Sequence, residues 1–232
     1  MKKINDVCFV IQARLSSERV PRKMIRSFAG TNLTDIAIKK ILKSNIIPKQ
    51  NFYLSVYEQE LVEVGIRNEV NIFHRSEESA LWDGGKEATL GKMYEWWDRL
   101  PYKYCVLISA CNPFLSVETI DSFVTSYLKS ESEGMFAVIE KKNYFWNKRF
   151  ESTTPWPEGE PCMNTKVVEK TYEGAHCLYA GRLDKIGEGI WMGDFNKPND
   201  IELFPISEKE SLDIDYPWQF DLCEAYYRHM MS

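Results

Sequence analysis

The 232-residue chain is 44% hydrophobic and 27% charged, enough apolar material for one packed α/β domain without disulfide or metal staples. A formal net charge of -5 and a pI near 5.4 exclude general nucleic-acid binding, which needs a broadly basic surface. No apolar run approaches the roughly 18 residues of a membrane span. The first apolar run is brief, is interrupted by Gln12 and lacks a small-residue cleavage site, so it reads as a core strand and not a signal peptide. Of the six cysteines none forms a C-x-x-C pair, which argues for reduced thiols, against a zinc site, and for a cytoplasmic protein.

In chain order, Val7 to Ile11 is a short unbroken apolar run, the pattern of a strand buried on both faces of a parallel sheet. A basic loop follows, with Arg14, Ser16, Ser17, Arg19, Arg22 and Lys23 around Pro21. Hydroxyls and backbone N–H groups can wrap phosphate oxygens while cations neutralise them. In an open α/β sheet, ligands lie beyond the carboxyl ends of the strands, where this loop stands. Local concentration lets an acidic protein bind a phosphorylated ligand here. Thr34 is expected to cap a helix from Asp35 to about Lys43, striped by Ile36, Ile38, Ile41 and Leu42.

Phe52 to Val56 reads as the second strand, Gln59 to Arg67 as a helix, and Val70 to Phe73 as the third strand, ending at His74 and Arg75. A longer amphipathic helix is predicted from about Lys86 to Arg99, carrying Leu90, Met93, Tyr94 and Trp97. Tyr104 to Ile108 is another apolar strand and Val117 to Lys129 another helix. Strands alternating with helices predict right-handed crossovers and a Rossmann-like, mostly parallel sheet flanked by helices, without the G-x-G-x-x-G of dinucleotide binders.

After Gly134 the pattern changes. Met135 to Ile139 is a strand. The stretch from Tyr144 to Val168 is rich in aromatics and prolines and suits a lid, an insertion or a dimer arm, or a cover over the core. Ala175 to Ala180 returns as a strand, Ile201 to Ile206 follows, and a helix runs from about Pro217 to His229. No linker or repeat divides the chain, so residues 1–232 form one domain with an insertion over 143–170.

The string Ile11-Gln12-Ala13-Arg14-Leu15-Ser16-Ser17, followed by Pro21-Arg22-Lys23, resembles the signature loop of the sugar-activating cytidylyltransferases. That family includes the CMP-sialic acid (acylneuraminate) synthetases and the 3-deoxy-manno-octulosonate cytidylyltransferases. The spacing from Arg14 to Lys23 is that of the sialic acid branch, although the loop lacks the glycines many members carry. Leu212-Asp213-Ile214-Asp215-Tyr216-Pro217, then Trp218-Gln219-Phe220, resembles the family's D-I-D-x-P-x-D-F signature, with Gln219 in place of its last acid.

The resemblance implies a nucleotide-diphospho-sugar transferase fold with a dimerisation arm, and transfer of CMP from CTP to an acidic, sialic-acid-like sugar with release of pyrophosphate. It places Ala13, Arg14, Leu15, Ser16, Ser17, Lys23 and Arg75 at the nucleotide, and gives Arg14, Lys23, Asp213 and Asp215 the catalytic roles. Asp213 and Asp215, on one face of extended chain at i, i+2, would hold Mg²⁺. Asp215 can equally cap the helix that Pro217 begins. Ser109 and Asn112, in the segment after Ile108, are candidate contacts to nucleotide or sugar, and His176 and Tyr179 are candidate sugar contacts equally readable as core or rim residues. Arg75 can be a surface arginine or a contact to the base. Several branches carry a metal-binding Asp where Cys111 stands, and a nucleophilic role for Cys111 has no histidine partner to support it. Alternatives are a nucleotidyltransferase for another base or phosphorylated acceptor, and a non-catalytic nucleotide-binding relative. A Rossmann oxidoreductase is disfavoured by the missing glycine fingerprint. A homodimer is expected.

Overall fold

The computed structural model describes residues 1–81 and 89–231. Seven strands form one sheet: β1 (Val7–Gln12), β2 (Phe52–Val56), β3 (Asn71–His74), β4 (Tyr104–Ile108), β5 (Gly134–Lys141), β6 (Thr171–Arg182) and β7 (Ile201–Ile206). Their order is β3-β2-β1-β4-β6-β5-β7. β3, β2, β1 and β4 pair in parallel, β6 is antiparallel to both β4 and β5, and β7 is parallel to β5. The sheet is therefore mostly parallel, with one reversed strand.

β1 shows why an unbroken apolar run becomes a central strand. Val7, Phe9 and Ile11 enter one core, while Cys8 and Val10 enter the core on the opposite face. Both faces are covered, so every residue of β1 before Gln12 is apolar and buried. The first core is closed by α1 (Leu33–Lys43), α2 (Gln59–Arg67) and α5 (Val117–Lys129), through Ile38, Ile41, Leu61, Val64, Phe123 and Tyr127. The second lies under α4 (Leu90–Met93), α6 (Leu183–Gly187) and the turn after α4, through Tyr94, Trp96, Leu183, Ile186 and Met192. The short α3 (Glu77–Ala80) follows β3, and α7 (Pro217–Met231) ends the chain. Among the described residues no helix is long and apolar enough to cross a membrane.

Two local expectations are corrected. Asn32, not Thr34, caps α1: its Oδ1 accepts from the Asp35 N–H at 2.8 Å, and the Thr34 hydroxyl donates to the Met24 carbonyl at 2.8 Å. Of the helix predicted from Lys86 to Arg99, residues 86–88 lie outside the described residues. The remainder is broken into α4 and a 3₁₀ turn, Glu95–Trp97. Tyr94 and Trp96 are both buried in the second core. Residues two apart point about 200° apart on an α-helix, so burying both requires the break.

The segment over 143–170 contains no regular strand or helix. An isolated bridge joins Trp146 to Ser152, and Tyr144 packs on Trp156 at 5.4 Å. Trp146, Phe150 and Trp156 remain exposed, Phe150 to 90%.

Candidate functional site

The chain order reverses direction between β1 and β4, and open α/β sheets bind ligands at such a switch point. A cavity of about 250 Å³ opens there, lined by the ends of β1 (Gln12 to Arg14) and β4 (Ile108 to Cys111) with Arg75, Tyr94 and Tyr179. A second cavity, about 660 Å³, shares Gln12, Ala13, Arg14 and Cys111 with it and continues along Ser16, Ser17, Arg19, Lys23 and Asp215. The basic loop and the carboxylate motif, some 190 residues apart in sequence, therefore face each other across one depression.

The loop is fixed from beneath. The Ala13 N–H donates to the Ser55 carbonyl at 3.1 Å, the Ala13 carbonyl accepts from Arg75 Nη2 at 3.0 Å, and the Leu15 N–H donates to Glu58 Oε1 at 2.7 Å. Arg22 adopts a left-handed φ of 56°, which turns the chain so that Val20 is buried and Lys23 points inward. Arg14 stays exposed, with Nη1 3.4 Å from the Ala80 carbonyl.

Lys23 is only 8% exposed. Its Nζ donates to the Ile214 carbonyl at 2.6 Å and lies 3.4 Å from Asp215 Oδ1. Burial works against its charge, but Cys111, Asp213 and Asp215 outweigh it and hold its pKa above the ordinary lysine value.

The alternation expected of Asp213 and Asp215 is present. Ile214 between them is fully buried in a third apolar cluster with Val20, Phe28 and Phe220, which leaves both carboxylates on the other side of the strand-like segment. Burial raises the pKa of Asp213, and Asp215 adds to the shift against the pull of Lys23. Its Oδ1 is buried and, among the described residues, has no hydrogen-bond partner. The Asp215 carboxylate takes Arg19 Nη2 at 2.9 Å as well as Lys23. The start of α7 is braced instead by Gln219, whose Oε1 accepts from the Asp215 and Tyr216 N–H groups at 2.7 and 2.8 Å. Gln219 thus performs in neutral form an acceptor role open to an acid at that position.

The other candidates divide. Arg75 is buried, 5% exposed, so the surface reading is overturned; desolvation lowers its pKa to about 10, and among the described residues its Nε has no partner. Ser109 lines the smaller cavity, its Oγ accepting from the Cys111 N–H at 3.1 Å. Asn112 is buried beneath the turn after β4, where Nδ2 donates to the Ser211 carbonyl at 2.9 Å. Tyr179 lines the smaller cavity, and burial pushes its phenol pKa up. Its hydroxyl lies 2.8 Å from His176 Nδ1. His176 itself is exposed, at a left-handed φ of 52° where β6 slips register against β5. Burial raises the Cys111 thiol to about 11, so it is protonated at neutral pH and no nucleophile.

Arg19 is the residue the sequence reading passed over. Its guanidinium sits 4.9 Å from the centre of the Tyr216 ring as well as on Asp215. Its only signal in the sequence was membership of the basic loop.

The family model for cytidylyltransferases matches residues 8–155. A spore coat polysaccharide biosynthesis protein, SpsF of Bacillus subtilis (strain 168), is 23% identical over 136 residues, 56% of this chain. That match spans about half, 53%, of the relative's length. Among solved structures, a CMP:2-keto-3-deoxy-manno-octonic acid synthetase complexed with CTP superposes with a TM-score of 0.70 at 12% identity, covering 97% of this chain and 99% of its own. A cytidylyltransferase from Leptospira borgpetersenii serovar Hardjo-bovis (strain JB197) gives 0.64 at 15% identity, covering 98% and 88%. The 4-diphosphocytidyl-2C-methyl-D-erythritol synthase of Anaerococcus prevotii DSM 20548 gives 0.65 at 11%, covering 96% of each chain.

Proposed function

The chain belongs to the cytidylyltransferase family, and from that premise we propose that it transfers CMP from CTP to a hydroxyl of an acidic, sialic-acid-like sugar, releasing pyrophosphate. The observation that carries this reading is the meeting of Arg14, Arg19 and Lys23 with Asp215 around one cavity at the switch point, with Asp213 near enough to Lys23 to support its charge. The acidic sugar is supported by the neighbour whose name joins CMP to a keto-deoxy-octonic acid, and by the sialic-branch loop spacing.

The two carboxylates fit a magnesium ion. Asp213 has a buried oxygen without a partner, and Asp215 stands beside it on the same face. Among the described residues no three His, Cys, Asp or Glu side chains gather as a metal cage. Mg²⁺ is commonly held by one or two carboxylates, with substrate phosphates and waters completing its octahedron. Bound there, it would neutralise triphosphate charge.

In the reaction, the sugar oxygen attacks the α-phosphorus, a new P–O bond forms, and the bond to the β-phosphate bridge breaks. Negative charge moves onto the departing pyrophosphate. Lys23 is preorganised to receive it, already desolvated and anchored by the Ile214 carbonyl. Arg14 and Arg19 present planar forks at the larger cavity, suited to paired phosphate oxygens. Arg75 braces the Ala13 carbonyl, which holds the loop at the nucleotide. The acceptor hydroxyl, unlike a phosphate acceptor that attacks already ionised, gives up its proton to solvent water as the new P–O bond forms.

The exposed aromatics of the 143–170 segment support the homodimer that the family resemblance implies, and six free cysteines accord with a reducing cytoplasm. The test is product identification by mass spectrometry after incubation with CTP, Mg²⁺ and a panel of nonulosonic acids and hexose phosphates. A CMP adduct of a nonulosonic acid supports the reading. Adducts of hexose phosphates alone would move the enzyme to another acceptor class, and no adduct at all would indicate a non-catalytic relative.

A further inference from the structure

Lys40, on α1, has no place in the chemistry above, yet its ammonium group is turned into the protein. Nζ donates to the Asn112 carbonyl at 3.0 Å and to the Pro113 carbonyl at 2.7 Å. Both belong to the turn that follows β4. That turn in turn grips the segment leading into the two carboxylates at three points. The Ser116 N–H donates to Glu210 Oε1 at 3.0 Å, Asn112 Nδ2 donates to the Ser211 carbonyl at 2.9 Å, and the Ile214 N–H donates to the Cys111 carbonyl at 3.2 Å.

We propose that Lys40 is a positioning residue: it pins the turn after β4 and, through that turn, sets where Asp213 and Asp215 stand. The inference rests on the roles given to those carboxylates above. Hydrogen bonds from a charged donor are roughly twice as strong as neutral ones, so two of them onto adjacent carbonyls fix the turn firmly. Asn112 cannot do this alone, because it is buried with Oδ1 unpartnered. Neither carbonyl belongs to a strand ladder, and truncating Lys40 strips both of this donor.

A second feature bears on the same contact. Desolvation lowers the pKa of Lys40 to about 7, against the support of Glu210 from the turn before Asp213 and of Cys177 from β6. The clamp is charged below neutrality and loses its charge as pH rises through that value. Its grip on the turn weakens over the same interval.

The experiment compares wild type with Lys40→Met and Lys40→Arg. In wild type, the turnover number for pyrophosphate release should step down as pH rises through neutrality while the KM for CTP stays flat. Lys40→Met should lower the turnover number about tenfold and abolish that step. Lys40→Arg, charged at every pH, should hold the acid plateau throughout. Without substrate, amide hydrogen exchange at 111–116 and 213–215 should quicken at least tenfold in Lys40→Met. This readout separates the two claims. If wild type shows no CTP activity, the cytidylyltransfer reading fails, and exchange alone decides the role of Lys40. If Lys40→Met does not fold, wild-type exchange at those amides, corrected for its intrinsic pH dependence, should accelerate across neutrality. An unchanged turnover number in Lys40→Met, a surviving pH step, or exchange indifferent to the mutation or to pH would overturn the proposal.

Discussion

Replacing Lys23 by Met separates what the site does from what holds it together. The ammonium donates to the Ile214 carbonyl at 2.6 Å and lies 3.4 Å from Asp215 with Cys111 beside it, in a position only 8% exposed. Methionine nearly matches the stem in volume, so the apolar packing changes little. The stability cost comes from the carbonyl left unpaired, about 1–3 kcal/mol. The cost in catalysis is the loss of one preorganised charge facing the triphosphate, about 2.7–4 kcal/mol, or a factor on the order of 10²–10³ in turnover. Pyrophosphate release measured against CTP concentration gives the second number, and urea unfolding of the same preparation gives the first. Lys23→Arg should rescue little, because a buried slot shaped for a point charge does not admit a planar fork. A folded Lys23→Met enzyme within twofold of wild-type turnover would refute the reasoning.

Arg14→Ala should cut turnover by about 2–4 kcal/mol at the transition state with no loss of stability, since the side chain is exposed; an effect on KM alone would make Arg14 a tether. Asp213→Asn should reduce Mg²⁺-dependent turnover by orders of magnitude and yet raise the unfolding temperature near neutral pH. The sign follows from the raised pKa of Asp213: the folded state binds the proton more tightly, so stability falls as pH rises from the ordinary carboxylate range through the folded value, and Asn escapes that loss. Melting curves of both proteins at acid and neutral pH check it. Trp146→Glu with Phe150→Glu should abolish the proposed homodimer in analytical ultracentrifugation, because both aromatics are exposed on the 143–170 segment.

Much of the fold could be read directly from apolar periodicity. Strands buried on both faces, such as β1 and β4, leave unbroken runs that few other structures explain, and the helices between them show a clean stripe. The predicted helix to Arg99 misled because Leu90, Met93, Tyr94 and Trp97 do fit a helical stripe, whereas the core buries Trp96, off that stripe, as well as Tyr94. The Asn32 cap was hidden by Thr34, an equally good capping type two residues on; only the Thr34 hydroxyl's contact with Met24 decides between them.

The site was legible as two motifs but not as a network. Arg14, Lys23, Asp213 and Asp215 carry a recognisable spacing, and the fold brings their segments together. Placing the basic loop beyond the strand end did not reveal that an inward turn at Arg22 buries Lys23. Arg19 and Lys40 were invisible for a different reason. Each is one cation among 29 Lys and Arg residues, and only three-dimensional contacts mark Arg19 out at Asp215 and Lys40 at the Asn112 and Pro113 carbonyls.

The central claim is that this cavity binds CTP and drives pyrophosphate out of it. Its most direct measurement is continuous pyrophosphate detection with purified protein, Mg²⁺ and a nonulosonic acid, run in parallel with CTP, UTP, ATP and GTP. Acceptor-dependent release is expected with CTP, lost in the Asp213→Asn enzyme and far slower with the other three nucleotides. Equal release from all four, or release that survives loss of Asp213, would contradict it.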